Sequence, residues 1–139
     1  MNTIKTKASD IVEKAKSLFG KQVQALAGQE SKVRELLSDV GKKIVKLGEH
    51  PKVKMLIDPV SIFIRMITAH FSGAHKLSGS TLGLVLLALV YFLSPIDFIP
   101  DFLGFMGFAD DISVVLAVYA KVKNEVEGFL AWEKSQVRS

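Results

Sequence analysis

A chain of 139 residues holds one domain and little more, and 49% apolar with 23% charged residues excludes a disordered, acidic or collagen-like polymer. The absence of cysteine removes disulfides, thiol nucleophiles and cysteine-bound zinc, and three histidines (His50, His70 and His75) are too few for an all-histidine metal site. The net charge of +4 is unevenly placed: Met1 to Lys54 carries 12 basic and 6 acidic residues, and Met55 to Ser139 carries 6 basic and 8 acidic. A basic, amphipathic half suits either nucleic acid or an anionic membrane surface. Its single aromatic, Phe19, sits at an apolar helix position, so membrane lipid is the expected partner and nucleic acid is not.

Residues 4 to 26 read as an amphipathic helix whose seam runs through Ile4, Ala8, Ile11, Ala15, Leu18, Gln22 and Ala25. After Gly28, Ser31 is placed to cap a second helix with its seam on Val33, Leu37, Val40, Ile44 and Leu47, ending at Gly48 before Pro51. The two form a basic amphipathic arm, residues 1–54, either packed on the rest or joining a coiled-coil homo-oligomer or a lipid surface. The first thirty residues carry Lys, Asp and Glu throughout, so no secretory signal is expected there.

Composition changes at Pro51, and residues 55–132 read as an apolar helical domain. Asp58-Pro59 has the form of a helix start, with Arg65 the only charge as far as Ser72, and Gly73 ends that helix. Twenty uncharged residues then separate Lys76 from Asp97, the most apolar run in the chain. Its Ser78-Gly79-Ser80 start and Pro95 trim the helix to roughly residues 80 to 94, about 22 Å against a hydrocarbon core of about 30 Å. A last helix starts near Asp110-Asp111 and carries Ile112, Val115, Leu116, Tyr119, Val122, Val126, Phe129 and Leu130 on one side. The class is all-α: a helical hairpin with an apolar core or membrane-associated helices, preceded by amphipathic N-terminal helices.

Between the last two helices runs Leu93-Ser94-Pro95-Ile96-Asp97-Phe98-Ile99-Pro100-Asp101, followed by Gly107-Phe108-Ala109-Asp110-Asp111-Ile112. This stretch resembles the YkvA-like domain family of unknown function. The match falls at Ser94, Pro95, Ile96, Asp97, Ile99, Pro100, Asp101, Gly107, Asp110 and Asp111, within roughly residues 80 to 120. The resemblance implies a bacterial helical hairpin associated with membranes, with no established activity or cofactor.

Three roles stand open for Asp97, Asp101, Asp110 and Asp111. They can cap helix starts and turns, where free N–H groups and the helix dipole favour a carboxylate. They can converge as a site that shares protons or takes a hard cation. They can pair with Arg65 or Lys76. Ser94, Pro95, Pro100 and Gly107 shape the turn itself. His70 and His75, five apart, do not share a helix face, and no metal site or nucleophile motif accompanies them. Tyr119 and Trp132 are placed as interfacial anchors or as the end of a packed face. The resulting expectation is a non-enzymatic, membrane-associated adaptor or accessory subunit with an unknown protein partner and no cofactor. Lys76 before the hairpin and Lys121 and Lys123 after it place both ends at the cytoplasmic side of the membrane. A soluble helical bundle for protein–protein interaction and a cation- or proton-handling protein are the alternatives.

Overall fold

The computed structural model describes residues 3–93 and 107–138, which contain six helices and no strand. They are α1 (Thr3–Ala27), α2 (Glu30–Leu47), α3 (Pro51–Ser72), α4 (Gly79–Leu93), α5 (Gly107–Lys121) and α6 (Lys123–Arg138). The expected all-helical class is the one found.

The bundle is organised around α4. Fifteen residues rich in Leu and Val carry no charge, and ten of them, from Thr81 to Phe92, are buried. A helix apolar on every side has no face to give to water and must be enclosed. Here α1, α2, α3 and α5 all pack against it. Its start is set by Ser78, whose Oγ accepts the Thr81 N–H at 3.2 Å and donates to Thr81 Oγ1 at 3.0 Å. That reciprocal cap also satisfies the hydroxyl of Thr81, the one buried polar residue among those described.

The surrounding helices contribute stripes. On α1 the buried residues are Val12, Ala15, Phe19 and Val23, while Gln22 and Ala25 are exposed. The expected seam was therefore turned by about one position. Phe19 decides the phase, because its ring meets Tyr91 of α4 edge-on, with centroids 5.6 Å apart at 83°. On α2 the buried stripe is Val33, Leu36 and Val40, with Leu37 and Ile44 half-buried. Ser31 does not cap this helix: Gln29 stands at the cap position without a side-chain capping bond, and the first turn begins with Glu30.

The expected helix start at Asp58-Pro59 is also corrected. Helix α3 begins at Pro51, where proline loses no bond, and Pro59 lies inside it. The apolar stripe Leu56, Val60, Phe63, Met66 and Ile67 runs unbroken past Pro59 and is buried along its length. Burial of each such side chain contributes about 1.5–3 kcal/mol, together more than the ~3 kcal/mol an interior proline costs. The carbonyl left without its partner belongs to Met55, on the outward side of the helix. Gly73, at φ 84°, stops α3 as expected, its N–H donating to the His70 carbonyl at 3.1 Å.

The last helix is two. α5 starts at Gly107, three residues before Asp110, and ends at Lys121; α6 follows after Val122. Hydrogen bonds from Val122 N–H to the Val118 carbonyl and from Val126 N–H to the Val122 carbonyl, each 2.9 Å, carry the helical path across the junction. Helix α1 packs most extensively on α4 and α5, so one apolar core runs through Val12, Val85, Val115 and Phe129 across the change of composition at Pro51.

Candidate functional site

The Ser-Pro-Ile-Asp turn lies outside the described residues, with Asp97, Asp101, Ser94, Pro95 and Pro100 in it. Its two anchors are described: Leu93 at the C-terminus of α4 and Gly107 at the N-terminus of α5. Asp110 and Asp111 fall in the first turn and a half of α5, inside the helix rather than ahead of it.

The end of α4 that enters the turn is held by a residue the sequence reading did not single out. Lys43, from α2, donates its Nζ–H to the Phe92 carbonyl and lies 4.6 Å from the centroid of the Phe92 ring. Phe92 is buried, and the ammonium group is half-buried with it. The last four carbonyls of a helix have no partner within it and form the negative end of its dipole. A half-buried cation over an aromatic face at that point supplies both a donor and a counter-charge. Lys43 thus brings positive charge to the chain position where a four-carboxylate segment begins. A signal for it existed: on α2, residues 33, 36, 40, 43 and 47 follow one stripe, and Lys43 is its one charged member.

The two basic residues expected to meet the aspartates are placed as follows. Arg65 Nε donates to Glu133 Oε2 of α6 at 2.9 Å, and its NH1 group donates to Ser61 Oγ at 3.0 Å. Among the described residues its carboxylate partner is Glu133. Lys76 is exposed in the segment between α3 and α4.

The histidines serve that same segment. His70 Nδ1 accepts the Leu77 N–H at 2.9 Å, which ties the end of α3 to the approach of α4. The His75 ring packs on Phe129 and Trp132 of α6, with centroids 5.4 and 5.1 Å away. Trp132 is half-buried in this cluster, and Tyr119 packs on Phe63 at 6.0 Å. Among the described residues no group of three or more His, Asp and Glu gathers to hold a metal ion.

Residues 81–117, from α4 through most of α5, match the family described as a protein of unknown function, DUF1232. The "Uncharacterized membrane protein YkvA" of Bacillus subtilis strain 168 is 30% identical over 93 residues, 66% of this chain and 85% of that protein. The chain belongs to the DUF1232/YkvA family. No solved structure matches it significantly. The family segment coincides with the enclosed helix, the turn and the helix that leaves it, so the family pattern marks the centre of the bundle. Among the described helices, only α3 has the length and composition to cross a membrane, over Val53–Ser72, and a third of its apolar window is buried in the bundle.

Proposed function

We propose that this YkvA-family chain is a non-enzymatic adaptor or accessory subunit at the cytoplasmic membrane, with both ends of the α4–α5 hairpin on the cytoplasmic side. The observation that carries the reading is the enclosure of α4. Its uncharged run is covered by α1, α2, α3 and α5, so the protein meets the bilayer with the outer faces of a folded bundle. The outward side of α3 carries Asp58, Arg65 and Thr68, side chains that suit an interface with water better than hydrocarbon. A non-catalytic role is supported by two of the three histidines, His70 and His75, which hold the α3–α4 connection and α6 in place.

Fractionation of the expressed, tagged protein tests this. The chain should sediment with membranes at low salt and leave them in an alkaline carbonate wash. Retention through carbonate would mean that an apolar helix crosses the bilayer, and recovery of the chain in the soluble pool at low salt would remove the membrane role.

A further inference from the structure

The net charge of this protein sits in one corner. Residues 42–54 hold five lysines (Lys42, Lys43, Lys46, Lys52 and Lys54) and a single acid, Glu49. That surplus equals the +4 of the whole chain, so everything outside the corner sums to zero. Among the described residues four large hydrophobic side chains are exposed; Val45 at 86% and Leu47 at 39% lie in the same corner, and Met55 at 61% adjoins it.

Helical geometry puts these features together. Lys42, Val45 and Lys46 lie at i, i+3 and i+4, the stripe of α2 opposite its buried Val33, Leu36 and Val40. Pro51, Lys54, Met55 and Asp58 repeat the spacing on the outer side of α3. The turn that joins the two stripes is only residues 48–50, and its Glu49 Oε1 lies 3.9 Å from Lys54 Nζ of α3. The turn itself is closely fitted: a Cβ on Gly48 would stand 2.6 Å from the Ile44 carbonyl oxygen.

We infer that the α2–α3 corner is the membrane-docking surface of this protein, and that its ligand is the anionic headgroup layer of a phospholipid bilayer, with Val45 and Met55 entering the interface between the lysines. Apolar tips beside the exposed Lys42, Lys46 and Lys54 match the two layers such a surface presents, headgroup phosphates outside and acyl chains just beneath. Nucleic acid fits less well, since the corner carries no Phe, Tyr or Trp on which a base would stack. The inference rests on the membrane reading above and adds to it a location and a lipid class.

The test uses the full chain and protein-free vesicles, either phosphatidylcholine alone or phosphatidylcholine with 30% phosphatidylglycerol, in a flotation assay at low and high salt. The chain should float with anionic vesicles, remain behind with neutral ones, and be released by salt. Each lysine near such a surface strengthens binding about fivefold, so Lys42→Glu with Lys46→Glu should weaken it at least tenfold. The charge-matched pair Lys121→Glu with Lys123→Glu, exposed elsewhere, should change it less than threefold. Val45→Ser with Met55→Ser, at unchanged charge, should weaken it as well. All these side chains are exposed, and an unchanged melting curve verifies that each variant folds. Equal binding to neutral vesicles, equal effects of the two charge-reversal pairs, or preference for duplex DNA over vesicles would overturn the inference. Membrane fractionation in cells without binding to protein-free anionic vesicles would leave the membrane reading standing and sink this one.

Discussion

Replacing Lys43 with methionine removes one ammonium group and keeps a chain of similar length on α2. The change deletes the hydrogen bond to the Phe92 carbonyl and the cation over the Phe92 ring. A hydrogen bond from a charged donor is worth about 1.5–3 kcal/mol, and a partly desolvated cation–π contact about 0.5–2 kcal/mol. Methionine recovers part of this because burying its thioether costs nothing in desolvation, so the expected net loss is about 2 kcal/mol. Unfolding entropy of about 2.1 cal/mol/K per residue converts that loss into a melting temperature lowered by roughly 7 °C for a chain of this length. Far-UV circular dichroism on heating reads the shift. Lys42→Met, one residue away and exposed, is the control, and should stay within about 2 °C because surface substitutions cost under about 0.5 kcal/mol. Equal shifts for the two variants would refute the idea that a half-buried ammonium group secures the end of α4.

Three other outcomes are expected. Asp97→Asn should destabilise the protein nearly as much as Asp97→Ala in urea titrations; a silent Asn variant with an Ala variant costing about 1 kcal/mol would reduce Asp97 to a turn cap. Leu86→Lys, at a fully buried position of α4, should cost more than about 3 kcal/mol or abolish folding, whereas Leu116→Lys on the exposed side of α5 should leave the urea midpoint almost unchanged; similar effects at both sites would contradict the enclosure of α4. Deleting residues 1–27 should leave an aggregating or molten chain, because α1 covers both α4 and α5; a sharp cooperative melt from the truncated protein would show that the bundle closes without it.

The helices were legible wherever period and punctuation agreed. Gly48 and Gly73 ended α2 and α3, and the Ser78-Gly79-Ser80 link opened α4 within a residue or two of its place. Reading failed where packing outweighed a local signal. Asp58-Pro59 has good start chemistry, but the apolar stripe from Leu56 to Ile67 gains more by continuing through it than a fresh cap would supply. On α1 the neighbouring apolar positions 11, 12, 15, 18, 19 and 23 allow two phases, and tertiary packing, with Val12, Val23 and the Phe19–Tyr91 contact, chooses between them. At the candidate site the aspartate motif was visible as a pattern, but its surroundings were not. The pairing of Arg65 with Glu133 spans 68 residues, and that of Lys43 with Phe92 spans 49, distances at which sequence spacing carries no information.

The order in which the covering helices are made has a further consequence. α1, α2 and α3 precede α4 in the chain, but the fourth wall, α5, follows it. At about 5–20 residues per second, the interval between synthesis of Leu93 and of Lys121 is about 1 to 6 s. A delay of the same order separates their emergence from the ribosome, so α4, the most apolar of the described helices, comes out with the side that α5 will occupy uncovered. Collapse of the first three helices takes well under a millisecond, so they are in place while that side stays bare. Whatever covers it meanwhile, a chaperone groove or a bilayer surface beside the ribosome, competes with α5 for the same residues. The timing of translation therefore governs how much of the protein closes as a bundle and how much is captured first.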